Sequence, residues 1–308
     1  MLTYNDIQRN AAWAAIQWGY APSQVFARKF LPVVEVNKPS GQYAKFDSSH
    51  LRYIKSPSEG GASAPMVDIG AALASFACKE HPRAAFIPDF MSREMGNEIA
   101  LPILQMAQES LLIEEERDLA TAMNTTGNFT ASNYATPATL WDAPGADPWA
   151  GATASVKTAL AHIYARNGYR INDVIMAVTP DVDLVLRDYA RASIATPVYD
   201  MPEDAAMARY FHVREYWVLS SAYESAVRGQ TSSLAACFGT KQCWLVNVPA
   251  VTEVLTPSFG KTIVDTAGSK IMQERLIDPE GDKLILKNSY DQDTIDFGQA
   301  YWIRNCIS

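Results

Sequence analysis

The sequence predicts an α+β protein in which a compact α/β block is set inside a second domain made of a long helix and β-strands. Three observations carry this. A helix-compatible stretch from Leu101 to Met123 outruns every neighbouring segment. From Asp147 to Pro249 helical and buried-strand patterns alternate between capping signals. After Pro249, short apolar or alternating runs between turns describe a β-rich return to the chain end.

Residues 1–34 read as an N-terminal arm. A short helix is predicted from Asn5 to Trp18, with Ile7, Trp13, Ala14 and Trp18 on overlapping faces. Trp13, Trp18, Tyr20 and Phe26 are many aromatics for a terminus. They fit two arrangements: tucking under the chain's own core, or anchoring on another subunit, where aromatics dominate contact energy. Residues 35–80 read as a long two-stranded excursion. VVEVN, QYAKFD and MVDIGAALASFAC have strand character, and SSHLRYIKSPSEGGASAP between them is polar and rich in Gly, Ser and Pro. So long a polar loop is either a flexible surface segment or a β-arm ordered by lying on a neighbour.

The long helix spans about 35 Å at a rise of about 1.5 Å per residue. Pro102 suits its first turn. Met106, Leu112, Leu119 and Met123 give it an apolar side, widened by Leu104 and Ile113. The run Glu114-Glu115-Glu116 predicts a solvated face, because consecutive residues point in different directions and cannot converge on one substrate. A turn-rich linker follows, TTGNFTASNYATPATLWDAPGAD.

In the α/β block, Asp147 is the predicted N-cap of a helix, with Pro148 at its first position and Asn167-Gly168 closing it. Val156, Leu160 and Ile163 share a face. Val174 to Val178 is a continuous apolar strand. Thr179 caps the next helix, where Asp181 and Asp183 favour the first turn. MPEDAAMARYFHV is a third helix, and EYWVLSSAYE and CFGTKQCWLVNV are strands. In the return, VTEVLT, KIMQERLI, KLILKNS and AYWIRNCI read as strands, with turns at 257–260 and 278–282. The long helix and these strands are expected to form one domain, with the α/β block inserted in it.

Bulk properties and motifs exclude several function classes. With 308 residues, 48% hydrophobic and 19% charged, the chain is of globular composition. A net charge of −8 argues against a broad phosphate-gripping surface. No apolar run approaches the roughly 18 residues of a membrane span, and the N-terminus lacks the pattern of a signal peptide. Four cysteines over this length do not make a disulfide framework and fit a reducing cytoplasm; Cys237 and Cys243 read as small core residues. His50, His81, His162 and His212 are scattered, without a ligand-spaced partner. No GxSxG, Walker A or GxGxxG sequence occurs. Asp291 and Asp293 resemble the start of a calcium loop but lack its glycine and closing glutamate.

The order of these elements resembles the major capsid proteins of tailed phages, which share the Hong Kong ninety-seven-type fold. GQYAKFDSSHLRYIKSPSEGGASAPMVDIG is similar to that family's extended loop, and IPDF with LLIEEERDLATAMN to its spine region. DPWAGATASVKTALAHIYARNGYRINDVIMAVTPDVDLVL resembles the opening of its axial domain, and WVLSSAYESAVRGQTSS, CFGTKQCWLVNVP and TPSFGKT the rest of that domain and the return. The resemblance covers most of residues 30–305, and its specificity lies in order and spacing.

What it implies is an α+β phage major-capsid fold with an N-terminal arm (1–34), an extended β-loop (35–80), a spine-helix peripheral domain (81–146 and 250–308) and an inserted α/β axial domain (147–249). The implied function is self-assembly into the icosahedral head shell of a tailed double-stranded DNA phage, located in the virion and assembled in the host cytoplasm. The implied partners are other copies in hexamers and pentamers, with scaffolding, portal and decoration or cement proteins; the DNA is enclosed without sequence-specific binding, and no membrane is involved. No catalytic residue, metal or cofactor is implied. The inter-subunit contact candidates are Trp13, Trp18, Arg52, Tyr53 and Ile54. No motif identifies a self-crosslinking Lys–Asn pair, although Lys45 and Lys55 lie in the loop. The chain starts at the arm, which implies a separate scaffolding protein or a processed N-terminus. Two other readings stand beside this one: an encapsulin-like nanocompartment with the same fold, and an α/β hydrolytic enzyme, which would need a convergent polar cluster.

Overall fold

A computed structural model describes residues 25–46, 71–89, 100–166, 173–193, 203–226, 230–231, 233–249, 258–277, 280–292 and 295–308. The expected helix at 5–18, the polar loop, the Asn167-Gly168 stop and the strand VTEVLT lie outside these residues, as do the contact candidates Trp13, Trp18, Arg52, Tyr53 and Ile54.

The elements run α1 (Ala27–Phe30), β1 (Val33–Val36), β2 (Ser40–Phe46), β3 (Ala71–Ala77), β4 (Lys79–Pro88), α2 (Ala100–Met123) and β5 (Tyr134–Ala135). Then come α3 (Val156–Arg166), β6 (Val174–Val178), α4 (Pro180–Ser193), α5 (Asp204–Tyr210), β7 (Glu215–Val218), β8 (Ala222–Glu224) and β9 (Leu234–Ala236). The chain finishes with β10 (Gln242–Asn247), β11 (Thr262–Asp265), β12 (Lys270–Leu276), β13 (Gly281–Asp291) and β14 (Ala300–Arg304).

A mixed sheet in the order β5-β14-β10-β6-β7 organises the molecule. Strand period two sends alternate side chains to opposite faces. Val174, Met176, Val178, Cys243, Leu245, Tyr301 and Ile303 face one core, roofed by α3, α4 and α5 through Leu160, Ile163, Leu186 and Met207. Ile175, Ala177, Trp244, Val246, Ala300 and Trp302 face a second core, closed by Phe30 and Leu31 beside α1 and by Leu119 and Met123 of α2. Burial on both faces is why Val174–Val178 is apolar at every position. Trp244 and Trp302 stack with centroids 6.5 Å apart, and the Trp302 Nε1–H donates to Gln242 Oε1 at 2.7 Å.

A second sheet has the order β1-β11-β13-β12, with β4 on the other side of β13. Its small core joins Ile87 and Leu284 to Ile103 and Leu104 at the start of α2. The spine helix thus begins on one sheet and ends under the other. β2 and β3 form a separate two-stranded ribbon.

Several expectations change. The C-terminal strand, expected with the 250–308 return, pairs with β10 of the central sheet through Trp244↔Trp302. β5, from the linker before the α/β block, lies on its other side through Trp302↔Tyr134. The α/β block is therefore completed by strands from outside its own span. Asp147 does not cap α3: its Oδ1 accepts from the N–H of Trp149 and Ala150, closing a turn before Gly151. Ser155 precedes α3, and its Oγ accepts from the Thr158 N–H at 3.3 Å. Thr179 precedes α4, but its hydroxyl is engaged with the Gln242 backbone of the adjacent strand. A further change concerns the spine's acidic run and belongs with the site it builds.

Ser155→Ala is expected to lower stability by about 1 kcal/mol, the usual cost of a lost N-cap. Ser155→Asp is expected to stay near wild type, with urea unfolding as the measurement.

Candidate functional site

The candidate site begins at the middle of α2. Its buried stripe is Leu111, Glu115, Glu116, Leu119, Ala120 and Met123. Met106, expected on the apolar side, is exposed. Glu115 and Glu116 were expected on a solvated face, and both are 0% exposed. The reason lies in helical spacing: Glu115 falls four residues after Leu111 and four before Leu119, so it shares their face.

The Glu115 carboxylate receives the Arg28 guanidinium in a forked contact, with Nη2 to Oε2 at 3.1 Å and Nε at 3.2–3.3 Å. Glu116 Oε2 accepts from the backbone N–H of Phe26 at 2.7 Å and Ala27 at 2.5 Å. The start of α1, whose donors lack partners within so short a helix, is thus capped from a distant element. Burial pushes both carboxyls above their ordinary range; Arg28 partly offsets this for Glu115, and the two N–H donors do so for Glu116.

The flanking residues extend the same construction. Glu114 Oε2 accepts from Arg83 Nη2 of β4 at 2.6 Å, and Oε1 lies 3.4 Å from His81 Nδ1. The Arg117 guanidinium sits 4.1 Å from the centroid of the Tyr223 ring in β8. Asp118 Oδ2 accepts from the Tyr290 hydroxyl of β13 at 2.9 Å; burial and this carboxylate push the phenol up, so it remains a donor. Consecutive helical residues do point in different directions, and here Glu115 and Glu116 together hold α1 while Glu114, Arg117 and Asp118 reach β4, β8 and β13.

Outward from this centre, apolar side chains reach the surface. Leu73 on the β2–β3 ribbon, Leu234 on the β8–β9 hairpin, Ile271 and Met272 on β12, and Ile277 just after it are exposed. The ribbon is tied at its base, where the Ala77 N–H donates to Asp291 Oδ2 at 2.7 Å. A two-stranded ribbon is marginal alone in water. These residues were missed in the sequence; the signal was the adjacent pair Ile271-Met272, since neighbours in a strand face opposite ways and only a strand covered on both faces buries both.

Elsewhere the described residues offer structural roles for the groups weighed as chemistry. Cys243 and Cys306 are buried free thiols, and Cys78 and Cys237 are half-buried. No group of three or more His, Cys, Asp and Glu poised to hold a metal occurs among the described residues. A cleft of about 450 Å³ between α2 and β13 is lined by Lys79, His81, Asp118, Tyr290 and Asp291. Three of these are already committed to structure, Asp118 and Tyr290 to each other and Asp291 to the ribbon base. No described helix is long and apolar enough to cross a membrane.

No protein-family model matches the chain, and no curated protein matches it. Solved structures do resemble it. A phage-related protein from Bordetella bronchiseptica RB50 aligns with a TM-score of 0.72 at 16% identity, over 97% of this chain and 96% of that one. The capsid of the cyanophage P-SCSP1u aligns with a TM-score of 0.61 at 11% identity, over 95% of this chain and 91% of that one. The capsid of an empty GTA particle aligns with a TM-score of 0.54 at 12% identity, over 94% of this chain and 92% of that one. The chain has the α+β fold of phage capsid proteins, expected from the order of its sequence elements.

A carboxyl raised by folding binds its proton more tightly in the native than in the unfolded state, so its contribution to stability falls as pH rises above the ordinary carboxylate range. Glu116→Gln keeps an acceptor for the Phe26 and Ala27 N–H groups and removes the buried charge. It is expected to match or exceed wild type at pH 8, with the advantage shrinking towards pH 5. Glu116→Ala, which leaves those N–H groups unpaired, is expected to lose about 1–3 kcal/mol at both values. Denaturant unfolding across pH measures both.

Proposed function

We propose that this chain is the major capsid protein of a tailed double-stranded DNA bacteriophage, a subunit that assembles with copies of itself into the icosahedral head shell. The observation that carries this reading is the fold likeness to capsid subunits, which runs along nearly the whole chain rather than one module. The exposed apolar side chains and the lone ribbon support it, because both leave surface that a neighbouring subunit would bury.

In this reading residues 1–34 are an arm and 35–80 an extended loop, both laid across neighbours. The spine and the sheet of β4, β11, β12 and β13 form the peripheral part (81–146 and 250–308), and the α/β block (147–249), completed by β5 and β14, forms the axial part. Hexamers and pentamers form around the axial parts. Burial of apolar and aromatic side chains supplies the contact energy. Trp13, Trp18, Arg52, Tyr53 and Ile54 remain the proposed contacts of the arm and loop. The net charge of −8 suits a container, since an acidic subunit does not hold the phosphates it encloses. Scaffolding, portal and decoration or cement proteins are the proposed partners, and the subunit's role is structural rather than catalytic. Assembly takes place in the host cytoplasm and the product is the virion.

The purified chain, alone or with a scaffolding partner, is expected to form rings or closed shells by electron microscopy and by mass measurement of the assemblies. A chain that stays monomeric under both conditions overturns the proposal.

A further inference from the structure

The least covered element of the described structure is β12. Among the described residues it is paired on one side only, through Lys270↔Lys287, Met272↔Ile285 and Glu274↔Lys283 of β13. Of its residues only Leu276 is less than exposed. Ile271 is 63% exposed and Met272 43%. The strand contains no proline and its pairing with β13 runs without a bulge, so its free edge carries unpaired backbone donors and acceptors in a regular row.

We propose that residues 270–274 of β12 pair antiparallel with the same residues of a second copy of this chain, in register about Met272. The register follows from charge. Centred on Met272, the pairing sets Lys270 opposite Glu274 at both ends, Ile271 opposite Gln273, and the two methionines against each other. Shifting by one residue sets Lys270 opposite Arg275 or, in the other sense, Gln273, and shifting by two sets it opposite Leu276 or Met272. Unlike charges directly opposite stabilise a strand pair and like charges weaken it, so one register is singled out. Arg275, the remaining charge, is already engaged by Asp89 and Asp282 within the chain, and Glu274, which also meets Lys283 of β13 at 3.4 Å, would share its carboxylate with Lys270 of the second copy. The joint continues the β4-β13-β12 sheet into its neighbour by strand addition, in which backbone hydrogen bonds supply affinity and side chains specificity. This rests on the shell reading above and names one contact within it.

The test uses the full chain in assembled form. Directly opposed residues of an antiparallel pair have Cα atoms about 4.5–5.5 Å apart, within disulfide reach. Met272→Cys is therefore expected to give a covalent dimer on mild oxidation, where wild type with its native cysteines stays monomeric on a non-reducing gel. Lys270→Glu alone and Glu274→Lys alone each set like charges opposite one another, and each is expected to lower the assembled fraction about tenfold. Mixing the two variants restores both unlike pairs and is expected to restore assembly, which a loss confined to one chain's own fold would not show. Shells that form without the Met272 crosslink, or variants that mixing does not rescue, overturn this pairing and leave the shell reading standing. A chain that forms neither shells nor crosslink overturns both.

Discussion

The fold depends on burying two carboxylates in the middle of a long helix. Glu115 and Glu116 occupy a stripe that otherwise holds Leu111, Leu119 and Met123. Buried carboxylates need partners, because stripping them of water costs several kcal/mol when they have none. The segment before β1 supplies them, as the Arg28 guanidinium and the N–H groups of Phe26 and Ala27. Once those groups are in place, Phe30 and Leu31 are committed to the second core, and Phe30 meets Trp217 edge-on at 5.2 Å. The polar contact fixes where this segment lies, and the apolar contact holds it there.

The same helix transmits position between two sheets. Its first turns rest on Ile87 and Leu284, and its last turns on the face of the central sheet that carries Trp244 and Trp302. Glu114 and Asp118, one on each side of the buried pair, engage β4 and β13. A displacement of the sheet of β4 and β13 would therefore break charged contacts to α2 as well as apolar ones, and a displacement of the central sheet would break its apolar contacts. Such a bridge holds the two sheets in a fixed relation to one another.

Much of this was legible in the sequence. The Leu101–Met123 helix, the doubly buried strand at 174–178, the helix opened by Pro180 and the strand at 270–276 lie where local pattern placed them. The capsid-type order of elements was legible as well, because order is a property of the chain. The candidate site was less so. A triplet of glutamates looks like solvent-facing charge until its spacing is set against Leu111 and Leu119, and even then nothing local names Arg28 as the partner. Asp147-Pro148 has the form of a helix start, yet Gly151 and the positive φ of Ala154 postpone the helix to Val156.

Taken alone, then, the sequence determined the elements and their succession, because hydrophobic period, caps and turns act over a few residues. Only the tertiary structure decided which elements are neighbours. β14 completes a sheet begun more than a hundred residues earlier, since Trp302 and Ile303 each need a core on their own side of the strand and only the central sheet offers both. The same holds for the buried glutamates. Burial arises from what packs around a side chain, and the groups that satisfy Glu115 and Glu116 come from a part of the chain nearly ninety residues away.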